Sequence, residues 1–272
     1  MLHTAKAIRL ATTRLYSTAV GIEQGKKAAA YRAVNDYIDS TRRVVGIGSG
    51  STIRYAVDCL RQKQDLSHIV YIPTSFQSRQ LIQQANLTVG TLEQYPRIDV
   101  TIDGADEVDP DLNCIKGGGA CHLQEKIIAY ASGTVVIIAA VSAIGTKCNE
   151  QHTYHFVGLK TLFTKSASQQ WTNGVPLEVL PMAYSTILSH LKEKYPSVKA
   201  SLRMATEKAG PVITDNGNFV IDAHFGPIPS PADLANQLKL MPGIIEVGLF
   251  CNMVETAFFG SADGSVNIQA KK

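Results

Sequence analysis

The stretch Arg43–Thr52 reads RVVGIGSGST, a run of β-branched residues that ends in glycines. It predicts a short buried strand, a tight turn and then a helix through residues 52–60. The alternation continues, with strands predicted at Ile69–Ile72, Ile98–Ile102 and Thr134–Val141 and helices at Lys26–Ile38, Ser75–Gln84 and Leu123–Tyr130. Strands that alternate with helices form a mostly parallel sheet covered by helices on both faces, so an α/β fold is expected.

The pattern changes after Pro176, and the remaining elements predict a smaller α+β domain at 175–247. Its predicted elements are a strand at Leu177–Leu180, a helix at Ala183–Leu191, a hairpin of Val212–Thr214 and Asn218–Ile221 around Asp215-Asn216-Gly217, and a helix that starts at Ser230-Pro231. Strand-like runs in the carboxyl-terminal tail, residues 248–272, can return to the main sheet. We therefore expect this tail and residues 23–174 to form one Rossmann-like catalytic domain. Residues 142–174 lack clear periodicity and predict a long loop or an inserted segment.

Composition excludes several classes of protein. The chain has 272 residues, of which 45% are hydrophobic and 18% charged, and its net charge is +3. Lys6, Arg9 and Arg14 account for that excess, so the body is neutral and is not expected to bind nucleic acid through phosphate neutralisation. The longest apolar run, Val135–Val141, is far shorter than the roughly 20 residues of a membrane span, and no membrane association is expected.

The amino-terminal segment 1–22 is basic, is rich in Ser and Thr, and contains no acidic residue. This composition is typical of a mitochondrial presequence, and the alternative is a basic tail ahead of the first helix. The five cysteines form no CxxC pair, which favours a reduced intracellular compartment.

Three loops carry the candidate chemistry. In the first, Ser49, Gly50, Ser51 and Thr52 precede a helix, and glycine backbone with hydroxyl donors suits a small anion such as a phosphate monoester. The third glycine of a dinucleotide fingerprint is absent, and no lysine precedes Ser51-Thr52 as a Walker A loop requires. The alternative is a plain glycine turn with a Ser or Thr helix cap.

The second loop carries Asp103 and Asp106 directly after a predicted strand, where ligands sit in such sheets. Neighbouring carboxylates raise each other's pKa, which suits proton transfer, although aspartates also simply favour turns. The third loop, Lys116 with Gly117, Gly118 and Gly119, can present N–H groups and a charge to an oxyanion. Glu125 follows as a candidate base if burial raises its pKa.

Together these groups fit proton abstraction next to a carbonyl on a phosphorylated sugar. This chemistry needs no redox cofactor, and the sequence contains no clear cluster of metal ligands, so neither a cofactor nor a metal is expected.

The motifs also resemble a known family. GIGSGST (46–52), DGADE (103–107), IKGGGA (115–120) with QEK (124–126), PLEVLPMAY (176–184), TDNGN (214–218) and VGLF (247–250) occur in the order seen in ribose-5-phosphate isomerases of type A. The resemblance implies interconversion of ribose 5-phosphate and ribulose 5-phosphate through an enediolate, in the pentose phosphate pathway. It also implies a cytoplasmic homo-oligomer that takes a phosphorylated pentose.

The resemblance assigns a role to each loop. Ser49–Thr52 would bind the phosphate with Lys26 nearby, and Asp103 and Asp106 would handle sugar hydroxyls and ring opening. Lys116 with Gly117–Gly119 would stabilise the enediolate, and Glu125 would move the proton between C1 and C2.

One position departs from the family. An Asp followed by a substrate-contacting Lys is expected after the strand at Thr134–Val141, but Ala140 stands at the Asp position, and the following lysines are Lys147, Lys160 and Lys165. Two alternatives stay open at this stage. One is a non-catalytic sugar-phosphate sensor, and the other is a sugar-phosphate deaminase or lactonase of the same fold.

Overall fold

A computed structural model of the chain describes residues 2–140 and 174–271, with side chains from residue 20 onward. The helices are α1 (Leu2–Tyr37), α2 (Ile53–Leu60), α3 (Phe76–Gln84), α4 (His122–Tyr130), α5 (Tyr184–Lys194) and α6 (Pro231–Lys239). The strands are β1 (Val44–Ile47), β2 (Val70–Pro73), β3 (Thr88–Val89), β4 (Ile98–Gly104), β5 (Glu107–Val108), β6 (Cys114–Ile115), β7 (Ser132–Ala140), β8 (Val175–Val179), β9 (Lys199–Leu202), β10 (Phe219–His224), β11 (Ile244–Val247), β12 (Leu249–Phe250), β13 (Thr256–Gly260) and β14 (Val266–Ala270). Within these ranges, no helix is both long enough and apolar enough to cross a membrane.

The larger sheet has seven strands in the order β14-β13-β7-β4-β1-β2-β3. All neighbouring pairs run parallel except β13 with β14. Side chains alternate along β7, so Val136 and Ile138 pack with the core under α1 and α2, whereas Val135 and Ile137 pack with Ala129 of α4. Helices therefore cover both faces, and the α/β expectation is confirmed.

The carboxyl-terminal strands return to the larger sheet, as the tail pattern predicts. β13 lies parallel to β7, with Thr256 opposite Val136 and Gly260 opposite Ala140. β14 then pairs antiparallel with β13 at the edge of the sheet.

A smaller four-stranded sheet, in the order β11-β8-β10-β9, occupies residues between 175 and 247. It has its own apolar core, in which Ile187 and Leu191 of α5 and Leu238 of α6 pack on Leu177 and Ile221. A three-stranded sheet, β12-β6-β5, lies next to the loops that carry Asp106 and Lys116. The division into two domains at 175 and 247 stays a prediction.

The predicted hairpin at 212–221 is wrong in its strand pairing. The turn is present, with Gly217 at φ +77° and one bond from the Thr214 amide to the Asn218 carbonyl at 2.9 Å. Residues 212–214 form no strand, however, and β10 pairs with β8 and β9 instead. Pairing on both sides satisfies more of the β10 backbone groups than a short hairpin could.

The first helix begins earlier in the chain than the sequence pattern predicts. The first helix begins at Leu2, so segment 1–22 continues into α1, and the presequence stays a prediction. The unassigned segment 142–174 lies outside the described residues except for Gly174.

The contact between α1 and β13 depends on two glycines. A Cβ placed on Gly260 would lie 1.9 Å from the Gly25 carbonyl oxygen, so a side chain there would prevent the approach. This contact also fixes the position of Lys26, the next residue of α1, at the end of the sheet where β13 finishes.

We predict that Gly260→Ala lowers the free energy of unfolding by about 1–3 kcal/mol, because the added methyl overpacks the contact with Gly25. Urea denaturation measures this change. Gly104→Ala is the control, since its added Cβ would lie 3.4 Å from the nearest atom, an ordinary contact. Equal stability of the two variants would contradict this account of the packing.

Candidate active site

The three loops predicted to carry chemistry meet beyond the carboxyl ends of β1 and β4. The cleft between them is lined by Ser49, Gly50, Ser51, Thr52, Gly104, Ala105, Asp106, Lys116, Gly117, Gly118, Gly119 and Glu125. Asp103 lies behind this lining, at the end of β4. The structure therefore brings all the sequence-predicted residues to one place, with Lys26 beside the first loop.

A buried ammonium group lies at the centre of this arrangement. Lys116 Nζ is 3.0 Å from Asp103 Oδ2 and 3.2 Å from Glu125 Oε2, and it donates a hydrogen bond to the Gly104 carbonyl. The three charged side chains are only 3–6% exposed. Glu125 Oε2 accepts no well-aligned hydrogen bond from the described residues, so its contact with Lys116 is electrostatic.

Burial and charge set the protonation behaviour of this cluster. Burial, reinforced by the negative charge of Asp103, raises the pKa of Glu125 to about 8, and Lys116 opposes this shift. Burial lowers the pKa of Lys116, but the two carboxylates outweigh that effect, and its pKa lies above the ordinary value. Lys116 therefore stays charged at neutral pH, while Glu125 can exchange a proton near the working pH.

The Asp103 carboxylate joins the first loop to the second. Its Oδ1 accepts hydrogen bonds from the Ser49 amide at 3.1 Å and from the Gly104 amide at 2.7 Å. The approach requires a glycine at position 48, because a Cβ there would lie 1.9 Å from the same oxygen. One carboxylate thus orients Lys116 and both neighbouring loops.

The first loop is built as an anion site with a cation beside it. Lys26 Nζ donates to Ser51 Oγ at 2.9 Å and is held by Glu23 at 2.8 Å. Gly50 stands at φ +100°, a conformation that favours glycine, and its amide donates to Gln77 Oε1 at 2.8 Å. This N–H is therefore available to an anion only when the exposed Gln77 side chain moves.

Not every hydroxyl of the loop is directed to the cleft. Ser49 Oγ lies 2.8 Å from Thr74 Oγ1 and 2.6 Å from Ser75 Oγ. Ser49 is buried, so its hydroxyl fastens the loop to the start of α3.

Asp106 is oriented by the third loop. Its Oδ2 accepts a hydrogen bond from the Gly118 amide at 2.8 Å. The pKa of Asp106 is raised, as the carboxylate-pair argument expects, but the main cause is burial, and Asp103 contributes least among the causes resolved. The sequence-based prediction is therefore wrong about the main cause: burial, rather than repulsion between the two carboxylates, raises the pKa of Asp106.

Several residues that hold the site in place have no recognisable sequence signal. Lys126, the residue after Glu125, donates to the carbonyls of Val247 and Leu249 at 2.5 and 3.0 Å and so anchors α4. Arg203 reaches the glycine loop from the side of the smaller sheet, and Asp222 of that sheet binds Arg203. A contact from a side chain to a distant backbone carbonyl produces no periodicity or spacing, and only the position of Lys126 within QEK could have suggested its role.

The lysines that follow the departure at Ala140 fall in the undescribed segment. Ala140 ends β7, but Lys147, Lys160 and Lys165 lie outside the described residues. Among the residues that the structure does describe, no group of three or more His, Cys, Asp or Glu side chains is placed to hold a metal ion.

We predict that Lys116→Met lowers the free energy of unfolding at pH 9 by about 3 kcal/mol, because two buried carboxylates lose their counter-charge. The loss should shrink as the pH falls through about 8, the pKa of Glu125, because this side chain then takes up a proton. Denaturant melts at pH 9 and pH 7 measure both effects. Lys192→Met, at an exposed position on α5, is the control and should change stability by less than about 0.5 kcal/mol. A loss at Lys116 that is independent of pH would contradict the assignment.

Comparisons with known protein sequences all point to one family. The sequence model described as "Ribose 5-phosphate isomerase A (phosphoriboisomerase A)" matches residues 70–153 and 161–264. A ribose-5-phosphate isomerase of Mycosarcoma maydis is 47% identical over 92% of this chain and 82% of its own length. The one from Homo sapiens is 43% identical over 94% of this chain and 76% of its own length.

Solved structures agree. A D-ribose-5-phosphate isomerase in complex with phospho-erythronic acid superposes with a TM-score of 0.77 at 37% identity, covering 92% of this chain and 99% of its own. Ribose 5-phosphate isomerase A of Methanocaldococcus jannaschii gives a TM-score of 0.75 at 32% identity, covering 90% and 98%. With this fold, and with the sequence match extending over most of the chain, the protein belongs to the ribose-5-phosphate isomerase A family.

Proposed function

We propose that the chain interconverts D-ribose 5-phosphate and D-ribulose 5-phosphate through an enediolate, with Glu125 as the base. The observation that carries this proposal is the buried Lys116 ammonium within 3.2 Å of the Glu125 carboxylate, beside a glycine loop. A carboxylate with a raised pKa next to a fixed positive charge can both remove and return a proton.

The phosphate end of the substrate would bind at the first loop. The Gly50 amide and the Ser51 and Thr52 hydroxyls supply donors at the start of α2, and Lys26 supplies a charge from α1. Gln77 accepts a hydrogen bond from the Gly50 amide, so we infer that a bound phosphate displaces this side chain. Binding at this end places the sugar carbons towards Glu125.

Ring opening would precede proton transfer. We assign Asp103 and Asp106 to ring opening, Asp106 by contact with the sugar hydroxyls, since it lines the cleft, and Asp103 through the Lys116 ammonium, which it holds from behind. The Gly118 amide keeps the Asp106 carboxylate oriented, and its raised pKa suits proton exchange with a hydroxyl.

The isomerisation step then needs one base. Glu125 removes the proton from C2 of the open aldose, and the electron pair forms the C1–C2 double bond as the O1 carbonyl becomes an oxyanion. Lys116 and the N–H groups of the glycine loop stabilise that oxyanion. Glu125 returns the proton to C1 while the O2 hydroxyl loses its proton to O1, and the ketose results.

The resemblance to the family further supports a homo-oligomeric enzyme of the cytoplasm that takes a phosphorylated pentose. Size-exclusion chromatography with light scattering tests the oligomer, and elution at the mass of one chain would refute it.

We predict that Glu125→Gln lowers kcat by at least about a hundredfold, the contribution expected of a general base, while ribose 5-phosphate still binds. Coupled turnover assays and calorimetry measure the two quantities. Glu193→Gln, at an exposed position on α5, is the matched control and should be fully active.

The same proteins incubated with ribose 5-phosphate in D2O separate an enzyme from a sensor. Wild type should introduce deuterium at C2 and Glu125→Gln should not. Tight binding by wild type without any exchange would favour the sugar-phosphate sensor and overturn the proposal.

A further prediction concerns pH. The base acts as a carboxylate, and burial and the charge of Asp103 raise its pKa to about 8. Therefore kcat/KM should fall about tenfold per unit as the pH drops well below 8. Asp103→Asn removes a negative charge that raises the pKa of Glu125, so the acid limb should move to lower pH. Glu193→Gln should leave the profile unchanged, and an acid limb that moves to higher pH in Asp103→Asn would contradict the electrostatic account.

A further inference from the structure

Arg203 connects the smaller sheet to the glycine loop of the cleft. It follows β9, and its Nη1 donates to the Gly117 carbonyl at 2.8 Å and to the Gly118 carbonyl at 3.1 Å. Its other two nitrogens bind the carboxylate of Asp222 on β10, with Nε at 2.8 Å from Oδ2 and Nη2 at 2.5 Å from Oδ1. Both side chains are about seven-eighths buried.

Peptide geometry transmits these contacts into the cleft. In a planar trans peptide the carbonyl and the following N–H point in opposite directions. Holding the Gly117 carbonyl on Arg203 therefore turns the Gly118 N–H away from it, and this N–H donates to Asp106 at 2.8 Å. By the same geometry, holding the Gly118 carbonyl turns the N–H of Gly119, which lines the cleft, away from Arg203.

The loop needs an external support because it has no side chains of its own to pack. Gly117 stands at φ +112°, and a Cβ there would lie 2.7 Å from His122 Nδ1 and 2.9 Å from Pro176. His122 and Pro176 thus contact one side of the loop, and Arg203 binds its carbonyls. Three consecutive glycines have many accessible conformations, and these contacts select one of them.

We infer that Arg203 is a positioning residue for the isomerisation, an inference that rests on the proposed function. Arg203 does not need to contact the sugar, because it acts through the loop. It fixes the N–H groups that face the developing oxyanion and the Asp106 carboxylate, and Asp222 holds the guanidinium in the required plane. Lysine cannot replace it, since one ammonium group lacks the planar fork that makes four hydrogen bonds to three residues.

The test compares Arg203→Lys and Asp222→Asn with wild type in a steady-state turnover assay and in a binding assay with phospho-erythronic acid. We expect kcat of Arg203→Lys to fall at least about tenfold, towards the loss seen when an oxyanion donor is removed, with KM for ribose 5-phosphate within about threefold. Affinity for phospho-erythronic acid should fall in parallel with kcat, because its planar carboxylate carries two oxygens as the enediolate does. Asp222→Asn keeps the arginine and should show the same pattern with a smaller loss.

The controls separate positioning from stability. Arg32→Lys alters an ion pair with Asp36 on the exposed side of α1 and should leave all of these values unchanged. If Arg203→Lys lowers the melting temperature while the folded enzyme keeps its kcat and its affinity for phospho-erythronic acid, Arg203 is only structural and the inference is overturned. If Arg203→Lys does not fold, normal kcat and analogue affinity in Asp222→Asn overturn it. Wild type without isomerase activity would instead refute the proposed function.

Discussion

The site depends on one ammonium group buried between two carboxylates. Lys116 lies within 3.2 Å of both Asp103 and Glu125, and all three side chains are almost inaccessible to solvent. Removing such charges from water costs several kcal/mol for each ion, so the cluster persists only because each member neutralises another. That compensation is incomplete at Glu125, whose pKa stays above its ordinary value, and this residual imbalance suits Glu125 to proton transfer.

The fold supplies this cluster from distant parts of the chain. Asp103 is the last residue but one of the central strand β4, Lys116 follows β6 of the three-stranded sheet, and Glu125 lies in the first turn of α4. Glycines allow the loops to approach closely, as at position 48, where any side chain would collide with Asp103. Lys126 and Arg203 then connect these loops to the four-stranded sheet. The geometry of the site therefore depends on this sheet as well as on the seven-stranded one.

Much of this arrangement is predictable from local sequence. Alternation of strand and helix patterns predicts the parallel sheet, and the motifs at 46–52, 103–107 and 115–126 predict which loops converge. The features that the sequence does not predict are those that depend on tertiary structure. Taken alone, Glu125 is typical of a solvated helix residue, but it is only 5% exposed. The partners of β10 and the bonds of Arg203 join residues far apart in the chain, which leave no periodic signal, and burial rather than pairing proves to dominate the pKa of Asp106.

The most direct measurement of the central claim is the ionisation of the Glu125 carboxyl group itself. A carbon-13 NMR titration of protein labelled at glutamate Cδ, with the signal assigned by its absence in Glu125→Gln, reports this pKa without any assay of turnover. The account predicts ionisation well above 4.5, towards about 8. A carboxyl group that ionises at or below 4.5 would show that Lys116 fully stabilises the charged form, and it would contradict the claim that burial prepares Glu125 to exchange protons at working pH.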